Sequence, residues 1–294
     1  MELHPLRVFL AVAAEKSFSR AAEKLLRTQP AISLSIQRLE AELGERLIDR
    51  SAKDLLLTAA GQLVFDYAQR FENLQADLEN ALAELRDKSA GRLAIGANES
   101  STLYLLDHIE RFRALYPKVR VQVRRSLSSR IPAELIDGQL ELGLLTYDPE
   151  DERLISKVIY TDHLSFVVSP EHRLANKKEV SIAELGEETF IAHNVVSPYR
   201  AMVLRAFQSH KVPLKMDLEM PTIEAIRKMV ERNEGVAFLP RMCVDLEIRR
   251  GLLREVKVRE MSMERKIRLV YPARRALSHA AQAFLEVVGQ PPRL

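Results

Sequence analysis

One long uninterrupted segment constrains the fold of this chain more than any other feature. From Gly61 to Lys88 the sequence contains neither a proline nor a second glycine. Its apolar residues recur at alternating spacings of three and four, which predicts a coiled-coil seam about 45 Å long. We expect the helix to pair with its copy in a homodimer, because it would overhang a small preceding domain; packing back onto that domain is the alternative. The seam residues are Val64, Tyr67, Phe71, Leu74, Leu78, Ala81 and Leu85.

This helix divides the 294 residues into three predicted parts: a domain at 1–58, the helical linker at 59–88 and a larger domain at 89–294. The composition, with 47% hydrophobic and 29% charged residues, excludes a disordered or collagen-like chain. No run approaches the roughly 18 uncharged apolar residues that span a bilayer, and the segment 1–16 is amphipathic. We therefore expect a cytoplasmic protein that does not bind membranes.

Charge and cysteine content remove several function classes. The chain carries 44 Lys and Arg against 41 Asp and Glu, and its first 88 residues are slightly acidic, so net charge alone does not indicate nucleic-acid binding. Cys243 is the only cysteine, which excludes an internal disulfide and a zinc site built from cysteines. We interpret it as a buried thiol. Neither a metal nor a cofactor is expected.

The N-terminal part has the pattern of a helix-turn-helix. An amphipathic helix is predicted over Leu6–Ala14, and Ser19 is the predicted cap of a second helix at Arg20–Leu26. A third helix follows after a short turn, with Pro30 in its first turn and Gly44 at its end. Two short helices joined by a tight turn can place the second one in a DNA major groove.

The third helix carries polar residues opposite its inner stripe of Ile32, Ile36 and Leu39. There Gln37 can bond an adenine edge, and Arg38 can pair with a phosphate. A hairpin wing is predicted between residues 47 and 58, with its cations near the DNA backbone. An ordinary surface of a three-helix unit is the alternative. The predicted DNA-contacting residues are Thr28, Gln29, Pro30, Ser33, Leu34, Gln37 and Arg38 on the helix and Arg50 and Lys53 on the wing.

Five motif pieces occur in order here: the segment 9–13, Ser17-Phe18-Ser19-Arg20-Ala21-Ala22, Thr28-Gln29-Pro30-Ala31-Ile32-Ser33, Leu39-Glu40-Ala41-Glu42-Leu43-Gly44 and Leu57-Thr58-Ala59-Ala60-Gly61. On these motifs the chain resembles the LysR-type transcriptional regulators. The resemblance implies a winged helix-turn-helix and tetramers that pair the effector domains, and it leaves RNA polymerase open as a further partner. A two-fold dimer would read an interrupted palindrome in double-stranded operator DNA.

The remaining chain alternates strands and helices. Strands at 92–97, 119–123 and 140–145, with helices at 101–116 and 130–137 between them, predict an open parallel sheet. Ligands bind at the carboxyl ends of such strands, so the loops 98–102, 126–129 and 146–148 are expected to form a pocket. A second block has predicted strands at 164–168, 190–192, 217–220, 236–239 and 267–271 and helices at 199–210, 223–231 and 278–288.

The resemblance implies that these blocks form a periplasmic-binding-protein-like effector domain, with lobe I at 91–161 and 268–294 and lobe II at 162–267. The fold class is therefore α+β multidomain. We expect a small anionic metabolite between the lobes, held by Ser100, Ser101, Thr102, Ser128, Ser129, Thr146, His193, Asn194, Ser197, Tyr199, Arg200 and Thr222. The hydroxyls have helix capping as their alternative role. Arg200 opposes a helix dipole at its predicted position, which indicates an anionic partner or a local acid.

Other function classes fit less well. Motifs of the HExxH, GxSxG and Walker types are missing from the sequence, so we predict that the protein is not an enzyme. A solute-binding transport component would share the two lobes but would need export. A ligand-independent architectural DNA binder stays open as an alternative, and a ligand-induced shift in melting temperature would distinguish a sensor from it.

Overall fold

The computed structural model of the protein describes residues 3–49, 55–86, 90–195 and 197–289. The chain divides into two compact units. The smaller unit comprises residues 1–88 with the short segment 137–139, and the larger unit comprises 89–136 and 140–294. No helix in the described part of the chain is long and apolar enough to cross a membrane.

The smaller unit begins with three helices: α1 (Leu3–Glu15), α2 (Phe18–Lys24) and α3 (Gln29–Leu43). The predicted helix-turn-helix is confirmed, and α3 ends at Gly44 in the left-handed conformation (φ 71°). The cap prediction for α2 is wrong. The helix starts at Phe18, and the side chain of Ser17 accepts the Arg20 N–H, because Ser17 has the extended backbone that a cap residue needs. Ser19 lies inside the helix.

A short antiparallel hairpin follows α3, with strands β1 (Ile48–Asp49) and β2 (Leu56–Leu57). Arg50 and Lys53 lie outside the described residues. Thr58 then joins the hairpin to the long helix α4 (Ala59–Arg86). Its hydroxyl donates to the Arg46 carbonyl at 2.6 Å and accepts the Gly61 N–H at 2.9 Å. The start of α4 is thereby fixed to the end of the hairpin.

Helix α4 has two different halves. Its first turns pack on the core of the smaller unit, where Ala68 is buried and Val64 and Phe65 contact the core. Val64 therefore faces inward and does not belong to the exposed stripe. The side chain of Leu85 lies outside the described residues. Among the described side chains of α4, the exposed large apolar residues are Leu63, Tyr67, Phe71, Leu74, Leu78 and Leu82.

The larger unit is built on a mixed sheet in which β3 (Gly91–Ala97) is parallel to β4 (Val119–Arg125) and to β5 (Leu142–Leu145). Helices α5 (Glu99–Leu115) and α6 (Ile131–Ile136) connect these strands. The predicted parallel pairing of these three strands is confirmed, but the sheet as a whole is mixed. The strand β13 (Glu264–Pro272) returns from the second lobe and runs antiparallel to β5.

One strand, β6 (Leu154–Val168), crosses from lobe I to lobe II. The predicted strand at 164–168 is only its second half. The first half pairs with β13 and the second half with β10 (Ala237–Pro240), both antiparallel. The first half is hard to recognise in the sequence because it mixes buried, partly buried and exposed side chains, without a continuous apolar run.

Lobe II contains the parallel pair β8 (Thr189–His193) and β9 (Lys215–Met220), with helices α7 (Pro198–Ser209) and α8 (Ile223–Glu231). The C-terminal helix α10 (His279–Gly289) packs on lobe I, where the rings of Phe284 and Phe112 are 5.3 Å apart. The remaining elements are β7 (Glu179–Val180), α9 (Asp245–Arg249), β11 (Arg254–Glu255), β12 (Lys257–Val258) and 3-10 turns at Ile182–Glu187 and Arg241–Cys243.

The close approach of α4 to the hairpin predicts the effect of one substitution. A Cβ atom at Gly61 would overlap the Leu47 backbone carbonyl. Gly61→Ala should therefore destabilise the smaller unit by about 1–3 kcal/mol, measured by thermal and urea unfolding. Gly289→Ala is the control, since nothing lies within 4 Å of its added Cβ. Equal stability of the two variants would contradict the close contact.

Candidate functional sites

The outer face of α3 is exposed in the smaller unit. Ile32, Ile36 and Leu39 are each at most 1% exposed, and they fix the inner face of the helix in the core. The opposite side consequently faces solvent. The structure leaves Thr28, Gln29, Pro30, Leu34, Gln37 and Arg38 exposed and Ser33 partly buried. A helix whose outer face offers amide, hydroxyl and guanidinium groups has the side chains that read base edges and phosphates.

In the larger unit the start of α5 gathers several predicted residues around one that the sequence analysis missed. Asn98 caps α5 by accepting the Ser101 N–H at 2.8 Å. It also donates to the Ser128 hydroxyl at 2.9 Å and accepts from the Ser100 hydroxyl at 3.1 Å. Thr102 donates its hydroxyl proton to the Asn98 carbonyl. The preference of asparagine for the position before a helix was the available signal.

Several hydrogen bonds connect the lobes. The Tyr199 hydroxyl of lobe II donates to the Thr146 carbonyl of lobe I at 2.7 Å. The carboxylate of Glu99, another residue missed from sequence, accepts the Ile223 N–H at 2.9 Å. It also lies 3.4 Å from His193 Nε2. Since His193 Nδ1 accepts the N–H of residue 195, its Nε2 carries the proton and donates to Glu99.

Other predicted residues of lobe II have local roles. Ser197 caps α7 and Thr222 caps α8, as the capping alternative describes. Arg200 pairs with Glu219 and donates to the His193 carbonyl at 3.0 Å. The acid that neutralises Arg200 is therefore Glu219 of lobe II, and no external anion is needed at the start of α7. The remaining candidates, Ser129 and Asn194, are exposed.

The cation that touches both lobes is Arg265 on β13. It lies directly opposite Asp162 of β6, and both side chains are 2% exposed. Arg265 donates to the Ser100 hydroxyl at 2.8 Å, and its guanidinium carbon is 5.5 Å from the centre of the Tyr199 ring. Burial raises the pKa of Asp162 and also that of Tyr199. The groups that meet between the lobes are thus polar, and Arg265 is buried among them.

Chemistry that would need a metal or an activated thiol has little support here. Among the described residues, no group of three or more His, Cys, Asp or Glu side chains could hold a metal ion. Cys243 is buried beside the hinge, and burial raises its pKa to about 12. Its thiol is therefore protonated at neutral pH.

The chain joins a helix-turn-helix, whose polar helix is exposed, to a two-lobed α/β unit with polar groups between its lobes. This combination defines a class of proteins that bind DNA and also bind a small ligand. The family descriptions agree with this class. "Bacterial regulatory helix-turn-helix protein, lysR family" matches residues 3–62, and "LysR substrate binding domain" matches residues 86–291. The chain belongs to the LysR family and is a DNA-binding transcriptional regulator with an effector-binding domain.

Full-length relatives and solved structures support the same assignment. A "Probable RuBisCO transcriptional regulator" of Cyanidioschyzon merolae is 32% identical over 97% of this chain and 96% of the relative. The structure of full-length CbnR complexed with target DNA matches with a TM-score of 0.76 at 19% identity, covering 98% of this chain and 99% of CbnR.

The regulatory domain of Synechocystis PCC6803 CcmR, solved in complex with 2-PG, matches with a TM-score of 0.61 at 23% identity. The match covers 67% of this chain and 95% of that domain. At these identities the two solved structures show a common fold.

The environment of Cys243 predicts low reactivity. With a pKa of about 12, roughly one thiol in ten thousand is ionised at pH 8, and the thiolate is the reactive form. Native protein should therefore react with iodoacetamide at least a hundredfold more slowly than protein unfolded in guanidinium, as measured by mass spectrometry. Similar rates in the two states would contradict the burial of this thiol.

Proposed function

We propose that this regulator binds an interrupted palindrome in double-stranded DNA as a homodimer and responds to a small anionic metabolite bound between its two lobes. The observation that carries the DNA part is the exposed polar face of α3, opposite its fully buried stripe. Selection and sequencing of genomic fragments bound by the purified full-length protein test it. The expected result is a set of sites that share one two-fold symmetric motif.

In this proposal α3 enters the major groove. Its readers are Ser33, Leu34 and Gln37, because a hydroxyl, a methyl-bearing side chain and an amide can each contact a base edge. The DNA phosphates that flank the groove are contacted by Thr28, Gln29 and Arg38. Pro30 lies against the DNA backbone beside them. The wing residues Arg50 and Lys53 supply further phosphate contacts in the proposal.

Removal of one base-reading side chain should change specificity at one position. Gln37→Ala should cost about 1–3 kcal/mol at a single base pair of the operator and leave the other positions unchanged. Binding to a set of single-base operator variants measures this. Gln75→Ala, the same substitution on α4, is the control. A uniform loss across all operator variants would mean that Gln37 contacts only the backbone.

The dimer part of the proposal rests on the exposed apolar stripe of α4. Tyr67, Phe71, Leu74 and Leu78 are between 41% and 65% exposed in the single chain. An apolar stripe of this length on a soluble protein indicates a protein partner, and the helical spacing suits a second copy of the same helix. A two-fold dimer would set two copies of α3 at a fixed distance on DNA.

Charges placed on this stripe should separate the chains. Leu74→Asp combined with Leu78→Asp should weaken the α4 interface by at least about a hundredfold, because each chain loses two apolar side chains and the dimer would bring four carboxylates together. Sedimentation of the full-length protein measures this as a loss of mass. Ala76→Asp on the opposite face is the control. An unchanged mass for the double variant would exclude the α4 dimer.

The effector part of the proposal rests on the contacts between the lobes, which involve Ser100, Thr146, His193 and Tyr199. A ligand there acts only through its different affinity for two arrangements of the lobes, typically a coupling of about 1–3 kcal/mol. We further propose a homotetramer that pairs effector domains, contact with RNA polymerase, action in the cytoplasm and no catalytic step. The family descriptions support the last of these points, since they name a regulatory helix-turn-helix and a substrate binding domain.

A further inference from the structure

Three arginines of lobe II and the hinge, Arg200, Arg227 and Arg265, differ in how their charge is neutralised. Arg200 contacts the carboxylate of Glu219, and Arg227 contacts those of Glu224 and Glu247. Arg265 differs, because its hydrogen bond goes to the neutral Ser100 hydroxyl. Its nearest carboxylate oxygen, on Asp162, is 3.7 Å from Nη1. That distance is too long for a hydrogen bond.

The buried pair of Arg265 and Asp162 also leaves polar atoms without partners. Arg265 Nε and Asp162 Oδ2 are buried and have no hydrogen-bond partner in the described structure. The hydroxyl of Ser101, one residue beyond the serine that Arg265 contacts, is in the same condition. Buried groups of this kind destabilise a fold unless something satisfies them. Arg265 Nε is a hydrogen-bond donor, so a ligand with an acceptor oxygen would satisfy it.

The position of Arg265 suits a ligand that both lobes enclose. The arginine belongs to the hinge strand β13 and contacts the start of α5 in lobe I and the Tyr199 ring at the start of α7 in lobe II. A planar guanidinium matches the oxygen geometry of a carboxylate or a phosphate.

We propose that Arg265, together with the Ser100 hydroxyl bound to it, is the anion receptor of the cleft, and that the effector presents a carboxylate or phosphate group to it. This inference rests on the proposed function, in which the cleft holds the effector. It replaces Arg200, the cation that the sequence indicated. The hydrogen bonds Tyr199 to Thr146 and Ile223 to Glu99 already join the lobes, so the ligand is small or displaces one of them.

The test uses full-length protein and four defined probes: inorganic phosphate, glycolate, phosphoglycolate and the neutral glycolamide. Titration calorimetry measures their dissociation constants. The wild-type protein should bind at least one anionic probe and should bind glycolamide much more weakly. The phosphate and glycolate arms separate phosphate recognition from carboxylate recognition. Failure of all anionic probes at millimolar concentration, or equal affinity for glycolamide, would overturn the inference.

The variants are paired so that no charge is left buried alone. Arg265→Gln combined with Asp162→Asn removes both charges at nearly constant volume, and should weaken anion binding about ten- to a hundredfold. Arg259→Gln combined with Glu179→Gln makes the same change in an exposed pair and should bind as the wild type does. Circular dichroism and melting without probe verify that each variant is folded. If the variant Arg265→Gln with Asp162→Asn does not fold, Ser100→Ala is the second test. It should also weaken anion binding.

A competing variant separates the inference from the proposed function. Arg200→Gln combined with Glu219→Gln should retain anion binding. If it loses binding while the Arg265 variant keeps it, the effector site lies in the cleft but Arg265 is not its receptor. If no cleft variant changes the affinity, both the inference and the proposed effector site are wrong. Operator binding, measured on the same proteins without probe, tests the DNA-binding part of the function independently.

Discussion

The antiparallel pairing of β6 with β13 is the interaction on which the larger unit depends. The ladder runs from Leu154 opposite Pro272 to His163 opposite Glu264, and β6 then continues into lobe II beside β10. Both connections between the lobes are therefore hydrogen-bonded strands rather than loose loops. Any change in the angle between the lobes must be absorbed within this ladder. Its one irregularity lies between Ile267 and Arg268, close to the point where the strands pass between the lobes.

At that crossing the structure buries two charged residues, Asp162 and Arg265. A buried ion pair is weak evidence for stability, because apolar residues of similar volume often stabilise a fold as well or better. Loose pairing and unpartnered atoms make this one costlier still. The position of the pair offers a functional reason instead. A ligand bound to Arg265 would contact the hinge and both lobes, and its affinity would therefore differ between two arrangements of the lobes.

The smaller unit carries two exposed faces of opposite chemistry. The outer face of α3 is polar, and the stripe on α4 is apolar. In our proposal DNA covers the first and a second copy of α4 covers the second. The contacts of Thr58 with Arg46 and Gly61 tie the hairpin after α3 to the first turn of α4. The distance between two recognition helices would then follow from the geometry of the dimer.

The periodic spacing of apolar residues in the sequence determined several of the helices. The spacing of apolar residues was enough to predict α3, the long helix α4 and helix α8 at 223–231, because each depends on neighbours three or four residues apart. Motif order was enough for the family. Tertiary structure alone decided the direction of β13, the length of β6 and the centre of the cleft. Ser100 and Arg265 are 165 positions apart, and no local pattern encodes a contact over that separation. Arg200 shows the converse: its position at a helix start was read correctly, but its partner Glu219 came from a neighbouring strand that only the fold brings close.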